Sequence, residues 1–350
     1  MRNSIKRITG LVLAFTLVMA EIPSMEVQAA KTKLGQYDKL FGFSDGIARV
    51  EKGETVVEGI TEGFIDKNGN EIVKPEYDNA YDFSEGLAAV AKDFKWGFID
   101  KTGNEAIALQ YDAVGNFSDG LAMIRKKEKE GLIDKDGNIV LEPKYYIIEQ
   151  FSEGLAPICI SIGQEWGFID KNGNEVIKPE FNYVGSFSEG LAVVMDKNGK
   201  YGYINKEGKV VINLEYDYAA NFSEGLALAG KNGKYRFIDK TGKEVIKLKY
   251  DSASNFSDGL AMICKKGKYG YINKKGKVIV KPKYVYAGNF SEGLAWVADK
   301  NWRYGYINKK GKIALKLNYD GANDFSEGWA AVSKKGKLYF IDKKGKIVLQ

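Results

Sequence analysis

Histidine is absent from all 350 residues. With it go Ser-His-Asp and Cys-His arrangements, histidine general bases and nearly every transition-metal site, and so most hydrolase mechanisms. Cysteine is scarce, at two. Cys159 and Cys264 each stand eight residues after a Phe-Ser-Glu/Asp-Gly start, at Phe151 and Phe256, in units three apart of a repeat. Equivalent points in an array are separated by whole repeats, whereas a disulfide needs Cα atoms within about 7 Å. Both are therefore read as unlinked, small buried hydrophobes. Helical periodicity is missing, and beyond residue 30 no apolar run approaches the roughly 20 residues of a membrane span.

What the chain does contain is one short unit written nine times. Phe-Ser-Glu/Asp-Gly starts at Phe43, Phe83, Phe117, Phe151, Phe187, Phe222, Phe256, Phe290 and Phe325, with successive starts 40, 34, 34, 36, 35, 34, 34 and 35 residues apart. Self-similarity at a period of about 20–50 residues signals a solenoid, propeller or array. Each unit carries three strand-like segments. In the second unit the first is Leu87-Ala88-Ala89-Val90, with the period-2 pattern of a packed strand. The next is Trp96-Gly97-Phe98-Ile99-Asp100, rich in strand-favouring residues. The last runs, as in Ile72-Val73, toward a Tyr-Asp pair such as Tyr77-Asp78. Lys-x-Gly joins the second and third segments. Because x varies while the Gly is constant, a type I turn with Gly in the left-handed position of a bulge is expected.

Pro75, Pro143, Pro179 and Pro282 precede the Tyr in four units, and Leu109, Leu214, Leu248 and Leu317 do so in others. Proline cannot donate to a ladder, so the third strand is read as the outer one, broken at this point. The expectation is an all-β tandem array of nine antiparallel three-stranded units, stabilised by stacking of neighbours. An open superhelix or solenoid is preferred, with a propeller-like closed ring as the alternative. The ends pose this choice. Gln36-Tyr37-Asp38 resembles the tail of a third strand and Ile347-Val348-Leu349 the beginning of one. The prolines, and a count above the usual four to eight blades, favour the open form.

Residues 1–29 read as a Sec-type signal peptide. Arg2, Lys6 and Arg7 precede an apolar run from Ile8 to Ala20, and small residues follow at Val27-Gln28-Ala29. Residues 30–350 form the single array. No cysteine follows the apolar run to carry a lipid, and no hydrophobic tail closes the chain, so a secreted or noncovalently surface-associated protein is expected, with no transmembrane segment in the mature chain. Charge is uneven. Residues 1–190 hold 21 Lys and Arg against 31 Asp and Glu, and residues 191–350 hold 31 against 15. Such a dipole can draw the chain to an anionic cell-surface polymer or to a second copy, by charge-driven self-association. Nucleic acid is not expected as the partner of an exported chain.

Trp-Gly-Phe-Ile-Asp-Lys-x-Gly-Asn-Glu, then Ile/Val-Lys-Pro-Glu-Tyr-Asp, then Phe-Ser-Glu-Gly-Leu-Ala, resembles the WG-repeat (KWG) proteins of bacteria over about residues 34–350. The literal Trp-Gly survives only at Trp96 and Trp166; elsewhere stand Tyr-Gly, Glu-Gly (Glu62, Glu130), Tyr235-Arg236 and Leu338-Tyr339. The resemblance implies an all-β repeat scaffold with an interaction role and gives no reaction.

Two acids could in principle serve a glycosidase. The acids here are themselves periodic, as Glu85, Asp119, Glu153 and Glu189 in one turn and Asp100, Asp134 and Asp170 in the other. Turn capping is expected, and no catalytic residue, cofactor site or metal site is assigned. Asp66-Lys67-Asn68-Gly69-Asn70-Glu71 alternates oxygens as a calcium loop does, but its Gly is fourth where an EF-hand needs it sixth. Rings at strict repeat positions, such as Phe98, Phe168, Tyr203 and Tyr271, read as core between units. Trp296, Trp302 and Trp329 break the consensus and are the binding candidates. The function expected is that of an exported noncatalytic scaffold for protein or cell-surface partners. A cell-wall or polysaccharide-binding module using the basic C-terminal half is the alternative.

Overall fold

The computed structural model describes residues 34–53, 59–161, 163 and 165–350. The segment 1–29, expected from the sequence to be a signal peptide, lies outside them. The described chain forms nine antiparallel sheets of four strands each, every sheet built from consecutive strands. Blade 1 consists of β1 (Lys39–Ser44), β2 (Ile47–Lys52), β3 (Thr61–Asp66) and β4 (Glu71–Tyr77). Blade 2 repeats it with β5 (Asn79–Ala80), β6 (Leu87–Lys92), β7 (Lys95–Asp100) and β8 (Glu105–Tyr111), and the series runs to β33 (Gly321–Ala322), β34 (Trp329–Lys334), β35 (Lys337–Asp342) and β36 (Ile347–Leu349) in blade 9.

The units are thus four-stranded, which corrects the three-stranded expectation. The added strand lies just before each Phe-Ser-Glu/Asp-Gly turn and in most blades is two residues long. In blade 2, Asn79 pairs with Ala91 and Ala80 with Val90.

Packing on both faces explains the composition of the middle strands. Ala88 and Val90 on one face and Phe98 and Ile99 on β7 are fully buried, and each apolar cluster joins two successive blades. Phe64 and Val73 of blade 1, for example, pack with Phe83, Ala88, Val90 and Ile99 of blade 2. The Gly of Trp-Gly answers a close approach: a Cβ on Gly97 would run into the carbonyl oxygen of Ile107, where the ladder between β7 and β8 slips. The Lys-x-Gly turn has the expected left-handed Gly, with φ of 88° at Gly103. Its capping oxygen comes from the preceding acid, as Asp66 Oδ1 accepts from the N–H groups of Asn68 and Asn70, both at 2.8 Å.

The prolines do not break the strand. Pro75 lies within β4, whose pairing continues past it to the Glu62–Tyr77 partner pair. A missing N–H is tolerated there because β4 is the sheet's edge strand.

The array closes, which overturns the open superhelix. Ser44 Oγ donates to the Phe83 carbonyl of the next blade, and the same bond recurs at Ser84, Ser118, Ser152, Ser188, Ser223, Ser257 and Ser291. Ser326 then returns to the Phe43 carbonyl at 2.7 Å. The fourth strand of blade 9 is short, and the chain's own beginning packs against it. Tyr37 and Leu34 join Leu349 and Phe340 of blade 9 and Phe43 and Val50 of blade 1 in one cluster. Tyr37 donates its hydroxyl to Glu71 at 2.8 Å, as Tyr145 does to Glu175 between blades 3 and 4. A serine, with one side-chain carbon, spans the gap between blades at the first strand, whereas a Tyr and a Glu are needed at the fourth. The first strands therefore line the inside of the ring and the fourth strands its outside.

Candidate functional site

The two rims of the ring differ. One carries the Phe-Ser-Glu/Asp-Gly and Lys-x-Gly turns, and its charges are spent on the ring itself. The acid of each blade accepts from the turn Gly N–H of the next, from Asp45 with Gly86 round to Glu327 with Gly46, at 2.6–3.0 Å to the nearer oxygen. Each acid also meets the Lys of the next blade's hairpin at 3.0–3.8 Å, closing with Lys67 and Glu327. Burial raises the Glu327 carboxyl, but the Lys67 hydrogen bond, the Gly46 N–H and the Lys67 charge together bring it below the ordinary glutamate range. Glu189 behaves alike, with Gly225 and Lys240. Nine equal copies of this contact are structural.

The opposite rim carries the turns between second and third strands, and it is not uniform. The first position of the first strand and the third-strand residue at the Trp of Trp-Gly lie in one row across the sheet, as in Tyr183, Met195, Tyr201 and Tyr216 of blade 5. In blades 5 and 6 these positions hold tyrosines that touch in sequence: Tyr183 with Tyr201 at 6.1 Å between ring centroids, Tyr201 with Tyr218 at 6.4 Å, and Tyr218 with Tyr235 at 6.1 Å. Blade 8 continues the pattern with Tyr286 against Trp302 at 5.2 Å and Trp296 against Tyr304 at 5.8 Å. Tyr183 is 39% exposed and Trp302 56%. Burial, then the charge of Glu149, then Tyr201 push the Tyr183 hydroxyl above its ordinary range.

Blades 1 and 3 have glutamates at the third-strand position, turned inward as ties to the next blade. Glu62 accepts from Arg49 and from the Ala80 N–H, each at 2.8 Å, and Glu130 accepts from Arg125 and the Ile148 N–H. Buried ionic ties thus stand in blades 1 and 3 where blades 5 and 6 place part-exposed rings.

The three tryptophans do not form one site. Trp296 and Trp302 belong to blade 8. The indole of Trp296 covers Gly288 and hydrogen-bonds the Asp324 carboxyl, whose pKa burial nonetheless raises. Trp329 lies at the other rim, edge-on to Phe43 at 5.2 Å with Lys67 5.8 Å over its ring, sealing blade 9 against blade 1. Tyr183, Tyr201, Tyr218 and Tyr235 were not among the sequence candidates. Their signal was present, as Tyr repeating at two offsets in consecutive units, but rings at repeat positions read as core. Neither cysteine forms a disulfide among the described residues; Cys159 is buried and Cys264 partly so.

Nine four-stranded antiparallel blades in a closed ring, first strand inside and fourth outside, define a β-propeller. The chain belongs to the WG containing repeat family, whose repeat matches residues 35–55, 63–95, 96–129, 131–161, 166–201, 201–235, 235–269, 269–301 and 304–337. Among solved structures, that of a eukaryotic initiation factor is similar over 82% of this chain and 92% of that one, at 12% identity and a TM-score of 0.59. BamB from Moraxella catarrhalis aligns over 75% of this chain and 95% of its own, at 13% identity and a TM-score of 0.44. Virginiamycin B lyase from Staphylococcus aureus aligns over 66% and 92%, at 16% identity and a TM-score of 0.36. At these identities the likeness concerns the fold alone. The comparison with curated proteins finds no match.

Proposed function

We propose that this propeller is an exported, noncatalytic scaffold that binds another protein across the rim bearing the tyrosine run of blades 5 and 6 and the Tyr286–Trp302 pair of blade 8. The observation that carries the reading is the run itself. Its rings are part-exposed and in mutual contact, and they sit where two other blades place buried ionic ties. Tyrosine and tryptophan offer large rigid contact area at low conformational cost, which is why they dominate binding hot spots. The signal-like residues 1–29 support export.

A second reading, polysaccharide binding, is favoured by Trp302, whose face is more than half open on the basic side of the ring. Tyr183→Ala and Trp302→Ala, singly and together, separate the two when compared with the unaltered chain in pull-downs against secreted protein and against wall polymer. A defined protein partner should be retained by the unaltered chain and lose about tenfold or more in affinity in the double variant, the size of a hot-spot loss. Retention of polymer alone, lost with Trp302→Ala, would replace the first reading with the second. Retention of protein unchanged in the double variant would move the site elsewhere.

A further inference from the structure

The interface between blades 3 and 4 departs from the other eight at three points that meet in one place. Every other interface stacks a third-strand ring on the next blade's turn Phe: Phe64 on Phe83, Phe98 on Phe117, Phe168 on Phe187, Tyr203 on Phe222, Phe237 on Phe256, Tyr271 on Phe290, Tyr306 on Phe325 and Phe340 on Phe43. Between blades 3 and 4 the ring is replaced by Leu132, opposite Phe151. The second departure is Gly115. Three blades have Gly at this first-strand position, and in two of them the space is filled, by Asn221 beside Gly185 and by the Trp296 indole over Gly288. Beside Gly115 a notional Cβ would meet only Met123, whose Cβ lies at an ordinary contact distance of 3.5 Å.

The third departure is Glu149 of blade 4. The equivalent residues of the other blades are Phe41, Tyr81, Gly115, Gly185, Ala220, Ser254, Gly288 and Asn323, none of them charged.

Together these leave a niche of about 340 Å³ in the inner wall, floored by Leu132, Met123 and Phe151. Its mouth is polar, with Asn116, Gln150 and Ser186 around Glu149. The volume falls at the small end of ligand pockets, about 300–1,000 Å³. Among the described residues no donor or cation meets the Glu149 carboxyl. Its titratable neighbours are Glu130, itself tied to Arg125 and the Ile148 N–H, and, from blade 5, the neutral hydroxyl of Tyr183. Burial first, and Glu130 second, push the Glu149 carboxyl above its ordinary range.

We propose that this niche binds an alkylammonium group, with the cation on Glu149 and an apolar stem along Leu132 and Met123. An ammonium carries three donors and no acceptor. Glu149 supplies one acceptor, and the side-chain oxygens of Asn116, Gln150 and Ser186 can supply the others. The slot left by the missing ring takes the methylenes. This chemistry has two sources, a free amine or a lysine side chain presented by a docked protein, and only the second draws on the scaffold reading above.

The test is calorimetric titration of the whole chain with n-pentylammonium, with 1-pentanol as its uncharged counterpart, and with a short peptide, acetyl-Gly-Lys-Gly-amide. Pentylammonium should bind saturably and pentanol should not. Leu132→Phe restores the pair present at the other eight interfaces; it should raise the melting temperature and abolish binding. Glu149→Gln should weaken binding about tenfold or more, the scale of a lost charge-assisted contact. Peptide bound as well as pentylammonium assigns the site to lysine, and pentylammonium alone assigns it to a free amine.

A readout that needs no ligand follows from the raised carboxyl. A folded-state pKa above the unfolded one costs stability at neutral pH and nothing below the unfolded value. Glu149→Gln should therefore melt higher than the unaltered chain at pH 7 and alongside it below pH 4.5, the ordinary value. Saturable binding that survives both substitutions, or no binding of either amine, would overturn the proposal.

Discussion

Glutamates at the turn rim are worth most when ionised. Glu189 and Glu327 are each held below the ordinary range against the opposing pull of burial, by a Gly N–H and a Lys of the following blade. A folded pKa below the unfolded one stabilises above the unfolded value and ceases to do so as pH falls through the folded value. The melting temperature should thus hold from neutral pH down to about pH 4.5, the ordinary glutamate value, and decline below it. Glu189→Gln should lower the neutral-pH value and flatten the acid limb, as differential scanning calorimetry across pH 3–7 would register; an unchanged acid limb counts against the contact. Periodicity alone made the capping role of these acids legible. Their partners were not, because the N–H that Glu189 accepts belongs to Gly225, in another unit, and a turn motif carries no mark of what lies across a gap.

At the level of strands, the second and third strands of each blade were legible because both faces are packed and their Ala, Val, Phe and Ile recur at strict positions. The first strand was not. Two residues, such as Ala113-Val114 or Ile147-Ile148, are too few to show an alternation, and their identities drift from blade to blade. Proline at Pro75 was read as a break for a sound local reason, but an edge strand tolerates a missing donor and continues. The serine bonds between first strands give a sharp test of this inner ring. Ser188→Ala, inside the series, should cost about 1 kcal/mol, the worth of one part-buried hydrogen bond. Ser326→Ala should cost the same about 1 kcal/mol, because its partner is the Phe43 carbonyl. A neutral Ser326→Ala beside a destabilising Ser188→Ala in urea titrations would mean that the ring does not close there.

For the molecule as a whole, the count of nine units and the all-β class could be read from the repeat, while closure turned on Tyr37. Its match to the Tyr ending most fourth strands was visible, but whether Leu349 would be its neighbour depends on the summed rotation of nine blades, which no single unit encodes. Deleting residues 30–40 removes Leu34, Tyr37 and Leu40 from the cluster they share with Phe340 and Leu349. The loss should lower the midpoint of one cooperative transition for the entire ring and enlarge its radius in small-angle scattering. Fraying confined to blade 1, with the rest unfolding as before, would contradict the closed structure. Closure also changes the meaning of the charge dipole: the acidic and basic halves meet along both seams, between blades 4 and 5 and between blades 9 and 1, so neither charge is held apart at a free end.

The seam at Tyr37 sets an order of events during synthesis. Every other blade can be completed from adjacent sequence as it emerges, but Leu34 and Tyr37, made first, wait for blade 9, as the blade 1 surface formed by Leu40, Phe43 and Val50 waits for Phe340 and Leu349. Until residues 347–349 have been made, the chain is an arc with two uncovered apolar faces. The contact that finishes the molecule joins its earliest described residues to its latest, so a nascent chain of eight blades is the species in which a holding partner would have most to cover.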